Sequence, residues 1–291
     1  MSVTEKLTFI GFGEAGSAFA EGLSLPPGIG ACYDIKLDSQ SDASAIRSAC
    51  ARTGVAAAPG PAVALVDTTL IFCLVPTDNT IAAARAAAFH LRPGMTWLDG
   101  SSSSPGRKRE AASIVEVNGA NYIDMAIMAP VHPKLHRTPV LLSGPAAAGI
   151  LPLLAKLGMV ANTAGELVGQ ASAIKMIRSI MIKGMEAVTA ECLLAARRAG
   201  VDGAVLASLA SSDPDVDWGA RTAYNLERMT RHGKRRAAEL REVVATLEEL
   251  GLPARVSAAT ATWEDQLANL NLDLGDEALE GKLDQVLDRL G

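Results

Sequence analysis

Short apolar runs alternate with helical patterns through the first half of the chain. The runs are rich in β-branched and aromatic residues and lack the strict apolar–polar alternation of a half-exposed sheet. They cover residues 7–10, 31–33, 70–75, 96–98 and 122–123. Helical periodicity separates them, over 15–23, 42–53, 79–90, 105–118 and 146–157. Strands covered on both faces and joined by helices predict an α/β doubly wound domain with right-handed crossovers.

The pattern changes after residue 162. Residues 168–199 form one helical pattern without proline, and Gly200 follows it as a stop signal. Further turns are predicted at 212–214 and 251–253, where proline or glycine interrupts the pattern. No strand pattern is visible in this half. We therefore predict an α/β domain over residues 1–162 and an all-α domain over residues 163–291.

Composition and charge exclude several classes of protein. Of the 291 residues, 49% are apolar and only 4% are aromatic, so the cores are expected to consist mainly of alanine, leucine, valine and isoleucine. The net charge of −5 argues against a nucleic-acid-binding protein, because such proteins usually carry a basic surface. No apolar run reaches the length of a membrane span.

The first residues and the cysteines bear on localisation. Residues 1–6 lack the basic start and the long apolar stretch of a secretory signal peptide. Cys32, Cys50, Cys73 and Cys192 are scattered without paired spacing, as expected for reduced thiols. We therefore expect a cytoplasmic protein.

A glycine-rich turn joins the first predicted strand to the first predicted helix. It fits the Gly-x-Gly-x-x-Gly fingerprint of a dinucleotide-binding (Rossmann) domain, with Gly11, Phe12, Gly13, Glu14, Ala15 and Gly16. The first glycine permits the tight turn, the second lets backbone approach a pyrophosphate, and the third lets the helix pack on the strand. The pattern alone is weak, but its place between strand and helix makes it specific.

Asp34 follows the second predicted strand and bears on the choice of cofactor. A carboxylate at this place can accept hydrogen bonds from the adenosine ribose hydroxyls and would repel the 2′-phosphate of NADP. Lys36 could partly neutralise such a phosphate. The predicted cofactor is NAD, with NADP as the alternative, and a glycine turn with a surface aspartate is the structural alternative.

Two further loops follow strands whose carboxyl ends meet at one edge of the sheet. Ligands in open α/β sheets lie over those ends, so both loops are predicted to contact the cofactor. The residues concerned are Leu74, Val75, Pro76, Ser101 and Ser102. Ser102 belongs to a serine run over residues 101–104, for which a polar turn that caps the next helix is the alternative interpretation.

Together these motifs resemble the β-hydroxyacid dehydrogenase family, which includes 3-hydroxyisobutyrate and 6-phosphogluconate dehydrogenases. The resemblance covers the fingerprint, Leu-x-Pro over 74–76, Asp-Gly-Ser-Ser over 99–102, and Gly-Gln-Ala-Ser-Ala-Ile-Lys over 169–175. It implies that Lys175 is the family's catalytic lysine, which serves in proton transfer during hydride exchange. Ser179 replaces the family's asparagine one turn later, on the same helix face as Lys175.

The segment that holds a substrate carboxylate in that family departs from the family pattern. Its serine and two glycines align with Met128, Ala129 and Pro130. Methionine has no N–H or O–H to donate to an anion, and Pro130 has no backbone N–H. The chain is more similar to a poorly characterised branch of 6-phosphogluconate-dehydrogenase-like NAD-binding proteins, for which the resemblance implies fold and cofactor class more than substrate.

Several candidate residues have alternative interpretations. Lys175 could extend to solvent from a half-buried helix. His132 and His136 have a spacing of four, but without a glutamate beside His132 we predict no metal site; His132 is a candidate for substrate contact. His232 and Arg235 share a helix face and are candidates for binding an anion, although glutamates at helical spacing favour a solvated charged face.

These observations predict an oxidoreductase that transfers hydride between a nicotinamide cofactor and a small secondary alcohol or ketone, such as a modified hydroxy acid or polyol. Lys175 and Ser179 are the predicted catalytic residues. Met128, His132, His232 and Arg235 are the predicted substrate contacts. The alternatives are an imine reductase and a non-catalytic NAD-binding protein. Apolar helices beyond residue 163 and the family resemblance predict a homodimer.

Overall fold

The computed structural model describes residues 6–291. The chain splits into two compact units, an N-terminal unit that ends at Lys175 and a helical unit that begins at Met176. This division lies beyond the predicted boundary at 162/163, because a strand over Ala161–Gly165 still belongs to the N-terminal sheet. Residues 1–5, on which the signal-peptide expectation largely rests, lie outside the described residues.

One eight-stranded sheet forms the centre of the N-terminal unit. Its strands are β1 (Lys6–Ile10), β2 (Gly30–Tyr33), β3 (Ala56–Ala57), β4 (Thr68–Cys73), β5 (Thr96–Asp99), β6 (Asn121–Ile127), β7 (Val140–Ser143) and β8 (Ala161–Gly165). Their order is β3-β2-β1-β4-β5-β6-β7-β8. The first six strands are parallel, β7 is antiparallel to β6, and β8 is parallel to β7. The predicted doubly wound fold is confirmed.

Six helices connect the strands of this unit. They are α1 (Glu14–Leu23), α2 (Ala43–Thr53), α3 (Pro61–Ala64), α4 (Thr80–Ala88), α5 (Pro105–Val115) and α6 (Ala147–Lys156). Five of them coincide with predicted helices to within a few residues. Because the strands are covered on both faces, two separate apolar cores form, one around the stacked rings of Phe9 and Phe72 and one around Trp97 and Tyr122.

Three strands of the sheet were not predicted. β3 has two residues, and β7 has four. β8 has the sequence Ala-Asn-Thr-Ala-Gly, which carries no apolar run. The expectation of no strand after residue 162 is therefore wrong for residues 163–165. An edge strand that is partly exposed lacks the apolar pattern by which buried strands are recognised.

The second unit is entirely helical in the part of the chain that the structure describes. Its helices are the remainder of α7 (Gln170–Arg198), followed by α8 (Asp202–Ser212), α9 (Trp218–Glu249), α10 (Arg255–Asn269) and α11 (Leu279–Leu290). The long helix predicted over 168–199 is confirmed as α7. A core of leucines, valine and methionine is buried among these helices, including Leu193, Leu226, Met229 and Leu283. Among residues 6–291, no helix has the length and apolar character needed to cross a membrane.

The strand order fixes where a ligand can bind. β1 and β4 are neighbours in the sheet, yet the chain continues from β1 to one side and from β4 to the other. This switch in direction leaves a crevice at the carboxyl ends of the two strands. The glycine-rich turn follows β1, and the loop over residues 74–79 follows β4, so both lie at this crevice.

Candidate functional site

The turn after β1 is closed so tightly that two of its glycines have no room for a side chain. Gly11 has a φ of +85°, and a Cβ there would lie 2.9 Å from the carbonyl carbon of Leu74. A Cβ on Gly16 would lie 2.5 Å from the Gly11 carbonyl oxygen. Both contacts are with backbone, which cannot move aside. The first and third glycines therefore have the roles that the fingerprint predicts.

The N-terminus of α1 fits a pyrophosphate. Gly13 is exposed, and the space that its Cβ would occupy is open. The N-cap residue of α1 is Gly13, which has no side chain to accept a hydrogen bond from the first amides of the helix. These N–H groups carry the partial positive charge of the helix N-terminus and are available to an anion. The backbone around Gly13 thus suits the phosphates of a dinucleotide.

Asp34 connects the end of β2 to the glycine-rich turn. Its side chain is 8% exposed. Oδ2 accepts a hydrogen bond from the Phe12 amide at 2.7 Å, and Oδ1 accepts one from the Lys36 amide at 3.0 Å. A carboxylate has about four acceptor positions, so two remain for ribose hydroxyls. The two amides fix the carboxylate beside the turn, which is the position that recognition of a ribose requires.

The loops after β4 and β5 are joined to each other by hydrogen bonds. Thr77 Oγ1 donates to the Ser102 carbonyl at 2.9 Å, and the hydroxyls of Thr80 and Ser103 lie 3.0 Å apart. Leu74 is buried, Val75 is half-buried and Pro76 is exposed. The structure therefore brings the predicted contact residues of the two loops together at the carboxyl edge of the sheet.

Lys175 reaches the serine run from the second turn of α7. Its Nζ donates a hydrogen bond to Ser102 Oγ at 2.7 Å, and its side chain is half-buried. A Cβ on Gly169 would lie 3.0 Å from Pro105 Cβ, so the start of α7 packs directly on the end of the serine run. Ser179 lies one turn beyond Lys175 and is half-buried. The structure thus places a lysine amine beside a serine hydroxyl at the carboxyl edge of the sheet.

A buried polar network that was not predicted from the sequence lies next to Ser102 and Lys175. Asp99 and Asp124, at neighbouring positions of β5 and β6, share an ion-pair partner in Lys108 of α5. All three side chains are fully buried. Burial, reinforced by Asp99, raises the pKa of Tyr122, whose hydroxyl donates to Asp99 Oδ2 at 2.7 Å. Four buried polar side chains therefore satisfy one another inside the sheet.

One residue of this network could be predicted from a sequence motif. Asp99 belongs to the Asp-Gly-Ser-Ser motif, so its position after a strand could be predicted. Lys108 could not, because it stands in the run Arg-Lys-Arg-Glu over 107–110, which is typical of a solvated helix face. Only the fold shows that α5 turns this one lysine toward the sheet.

The predicted substrate contacts in the segment after β6 lie at different places. Met128 is half-buried, and its amide donates to the Pro139 carbonyl at 3.0 Å. His132 is exposed. His136 packs against Gly22 in the last turn of α1 and against Gly158, and its burial, together with Arg137, lowers its pKa. Lys175 donates a hydrogen bond to Ser102, whereas His136 packs on α1 and Gly158.

The other two predicted substrate contacts lie in the helical unit. His232 and Arg235 are exposed on α9, and Arg235 forms an ion pair with Glu239 at 3.1 Å. The i,i+4 pair is the arrangement expected for a solvated helix face. A role of these residues in anion binding stays a prediction. No group of three or more metal-ligating side chains that could hold an ion occurs within residues 6–291.

The helical unit also contains a buried ionic cluster. Arg236 of α9 pairs with Glu186 of α7 and with Glu264 of α10, the latter at 2.9 Å. Nearby, Lys183 pairs with Glu239 at 2.8 Å. Burial raises the pKa of Glu264, an effect that Arg236 opposes, and burial lowers the pKa of Lys183, which Glu239 opposes. The cluster joins three helices through charges that must be paired to be buried.

Comparison with known proteins agrees with this geometry. Residues 6–182 match the family model described as the NAD binding domain of 6-phosphogluconate dehydrogenase, and residues 196–267 match a domain of unknown function, DUF1932. No curated protein matches the chain in sequence. A conserved hypothetical protein from Sinorhizobium meliloti 1021 is 33% identical, with a TM-score of 0.78 over 99% of this chain and 97% of that chain.

More distant structures share the fold. The 3-hydroxyisobutyrate dehydrogenase of Mycobacterium tuberculosis, solved with L-serine, is 16% identical, with a TM-score of 0.74 over 98% of this chain and 99% of that chain. An imine reductase variant from Myxococcus stipitatus, solved with NAD+, is 20% identical, with a TM-score of 0.60 over 98% of this chain and 100% of that chain. The N-terminal fold is thus one on which dehydrogenases and imine reductases are both built.

Proposed function

The chain belongs to the family of the 6-phosphogluconate dehydrogenase NAD-binding domain, and from this premise we propose that it transfers hydride between a nicotinamide dinucleotide and a small secondary alcohol or its ketone. The family supports the cofactor class, and the substrate class is the proposal. The observation that carries it is the 2.7 Å hydrogen bond between Lys175 Nζ and Ser102 Oγ. It puts an amine that can exchange a proton at the edge where the nucleotide-binding loops end.

The chain's own residues would hold the dinucleotide through three kinds of contact. The amides at the start of α1 bind the pyrophosphate, with Gly13 leaving the approach open. Asp34 accepts hydrogen bonds from the adenosine ribose with its two remaining acceptor positions. The loops around Val75 and Ser101 line the rest of the carboxyl edge. When bound, the nicotinamide supplies the hydride acceptor or donor.

Lys175 moves the proton that accompanies the hydride. In the oxidation direction its neutral amine takes the proton of the substrate hydroxyl, and in the reduction direction its ammonium returns a proton to the ketone oxygen. Ser102 accepts a hydrogen bond from the amine and so orients it for proton transfer before the substrate binds. Ser179, one turn along α7, is proposed to position the substrate or a water molecule through its hydroxyl.

The segment after β6, over residues 128–130, argues against a substrate that is held by its carboxylate. Met128 and Ala129 replace side chains and backbone that would hold a carboxylate in the resembling family, and Pro130 has no N–H to donate. A substrate that depends on a carboxylate at this place would bind weakly. We propose that Met128 contacts an apolar part of the substrate. His132, His232 and Arg235 stay candidate substrate contacts.

Imine reduction is the second candidate function. The likeness in fold to an imine reductase and the altered segment over 128–130 both favour it. The two reactions differ in the atom that receives the proton, which is nitrogen in an imine and oxygen in a ketone. Lys175 can serve either, but an alcohol oxidation needs its neutral form to accept a proton, which an imine reduction does not.

A paired screen separates these functions. Reduction of NAD and NADP is measured with a panel of small secondary alcohols and polyols, and oxidation of NADH and NADPH with ketones and cyclic imines. The proposal expects turnover with an alcohol–ketone pair. Turnover with imines alone would favour the second candidate. Cofactor binding without turnover by any member of the panel would favour a non-catalytic NAD-binding protein.

A further inference from the structure

Lys108 holds the two halves of the candidate site together. Its ammonium has three N–H groups and three acceptors within reach. The Asp99 carbonyl lies at 2.6 Å and Asp99 Oδ1 at 3.0 Å, and Asp124 Oδ1 lies at 3.5 Å. The lysine side chain is 0% exposed, so these contacts replace all its hydration. A lysine buried in this way is held in one position by its partners.

Asp99, which Lys108 holds in place, in turn holds the serine run. Its Oδ1 accepts hydrogen bonds from the Ser101 amide at 2.9 Å and from Ser101 Oγ at 2.7 Å. Ser101 Oγ in turn lies 3.0 Å from Ser103 Oγ. Ser102 stands between these two fixed residues, so its backbone is held on both sides. The hydroxyl that accepts from Lys175 therefore depends on Asp99 for its place.

Asp124, which Lys108 also contacts, holds the start of the helix that carries Lys175. Its Oδ2 accepts from the Ser172 amide at 2.9 Å, and its Oδ1 accepts from Ser172 Oγ at 2.7 Å. A carboxylate at the first amides of a helix also interacts favourably with the helix dipole. Ser172 and Lys175 are three residues apart and share a helix face. The direction of the Lys175 side chain therefore depends on Asp124.

The two carboxylates need a cation between them. They stand at paired positions of neighbouring strands, and both are fully buried. Without Lys108, two buried like charges would repel each other and lack a counterion, which proteins avoid by moving the groups or by protonating one of them. Either response would shift the serine run relative to α7.

We propose that Lys108 is a positioning residue. By binding both Asp99 and Asp124, it keeps Ser102 and Lys175 within hydrogen-bond distance of each other. The inference rests on the proposed role of Lys175 in proton transfer. It assigns to Lys108 no contact with substrate or cofactor. Lys108 aligns the serine run with the start of α7. Ser102 and Lys175, which join these two segments, are 73 residues apart in the sequence.

The test measures the state of Lys175 directly and needs no substrate. The rate at which an amine-reactive reagent labels Lys175 is followed by peptide mass spectrometry in the native protein. In Lys108→Met, the loss of the hydrogen bond to Ser102 is expected to raise that rate by about threefold to tenfold, the factor that one hydrogen bond of ordinary strength is worth. In a Ser102→Ala background, where the bond is already absent, Lys108→Met is expected to add little.

Thr68→Val is the matched control. Thr68 is also a buried polar residue of the N-terminal sheet, bonded to Thr8 at 2.7 Å, but it lies at the start of β4, at the opposite edge from the serine run. Its loss lowers stability and is expected to leave the labelling rate of Lys175 unchanged. If Lys108→Met does not fold, Ser172→Ala weakens the link on the Asp124 side, because it removes the hydroxyl hydrogen bond to Oδ1 and keeps the amide bond to Oδ2. A smaller rise in the labelling rate is then expected.

Two results would overturn the inference. One is a folded Lys108→Met or Ser172→Ala variant whose Lys175 is labelled at the wild-type rate. The other is the same increase for Lys108→Met with and without Ser102, which would mean that Lys108 acts through general loosening. Because the readout does not involve turnover, the proposed hydride transfer can fail in its own assay without deciding this one.

Discussion

Lys175 Nζ donates a hydrogen bond to Ser102 Oγ at 2.7 Å, across 73 residues of sequence. The serine belongs to a loop fixed by Asp99, and the lysine belongs to a helix whose first turn is fixed by Asp124. Buried carboxylates on two neighbouring strands therefore hold the two segments that carry this hydrogen bond. We expect a site supported in this way to keep its geometry when a ligand binds, as the proposed proton transfer over a hydrogen-bond distance requires.

We predict that Asp34 gives the protein a preference for NAD(H) over NADP(H). Its buried carboxylate lies at the proposed place of the adenosine ribose, where a 2′-phosphate would be repelled. Asp34→Asn removes the charge but keeps an oxygen that can accept from the Phe12 amide. The preference, measured as a ratio of dissociation constants by fluorescence titration of the reduced cofactors, is expected to fall by about tenfold.

Asp38→Asn is the control for this measurement. Asp38 is an exposed acid of the same region whose Oδ2 accepts from the Tyr33 hydroxyl at 2.8 Å. Its substitution is expected to change the preference less than Asp34→Asn does. Equal or tighter binding of NADPH by the wild-type protein would contradict the prediction.

We predict a homodimer formed through the helical unit. One face of α7 leaves apolar side chains exposed, with Ile177 at 48%, Met181 at 66% and Val188 at 63%. Their spacing places them on one side of the helix. Burying this stripe against a second copy is favourable, because apolar surface is removed from water. The mass at micromolar concentration, from light scattering coupled to size exclusion, is expected to be twice that of the chain.

Substitutions on and off the stripe make the dimer prediction specific. Met181→Glu would bury a charge in the interface and is expected to give a monomer. Val117→Glu introduces the same charge at a residue that is 76% exposed in the N-terminal unit and is expected to leave the mass unchanged. A wild-type protein that is monomeric under these conditions would refute the prediction.

The sequence predicted most of the fold because its signals are local. Buried strands show as short apolar runs, and the long helix shows as an uninterrupted pattern that ends at Gly200. The glycine-rich turn is recognised because its glycines serve one backbone geometry. Lys175 was found by resemblance, since a lysine in an apolar helix alone is as well explained by a side chain that extends to solvent.

What the sequence could not predict depends on contacts between distant segments. Lys108 is surrounded in sequence by charged residues, and its burial follows only from the direction in which α5 lies on the sheet. β8 was not predicted because it consists of small and polar residues. It is stabilised by pairing with β7, and its sequence shows no apolar pattern. The pairing of Arg236 with two glutamates from other helices likewise requires the packed structure.

We predict that Glu264 makes the stability of the helical unit depend on pH. Burial raises its pKa above the ordinary 4.5, although Arg236 opposes the shift. Between 4.5 and the raised value the folded state binds more protons at this group than the unfolded state. The contribution of Glu264 to the free energy of unfolding therefore falls as pH rises through that window, by about 1.4 kcal/mol for each unit of pKa shift.

The variant Glu264→Gln isolates this contribution. Urea unfolding of both proteins is followed by tryptophan fluorescence at a series of pH values, since Trp263 lies beside the substituted residue. The stability of the wild type relative to the variant is expected to decrease from pH 4.5 upward and then to level off. Glu280→Gln, which changes an exposed acid of α11, is expected to run parallel to the wild type. A pH-independent difference for Glu264→Gln would count against the prediction.

The role of Lys175 is the prediction on which the proposed mechanism depends. Lys175→Met keeps similar length and bulk but removes the group that accepts and returns the proton. General acid–base assistance contributes about 10²–10⁴-fold to a rate, so kcat is expected to fall by about two orders of magnitude or more. The dissociation constant of the reduced cofactor is expected to change little, because the groups proposed to hold the dinucleotide lie on α1, just after β2, and on the loops after β4 and β5. Lys156→Met makes the same substitution at an exposed lysine at the end of α6 and is expected to leave both quantities unchanged.

Two results would contradict the proton-transfer role of Lys175. One is a Lys175→Met variant with near wild-type kcat, and the other is a structure with bound cofactor in which the Lys175 amine points away from the nicotinamide. Lys175 would then be a lysine that extends to solvent from a half-buried helix, and imine reduction or cofactor binding without turnover would become the better account of the protein.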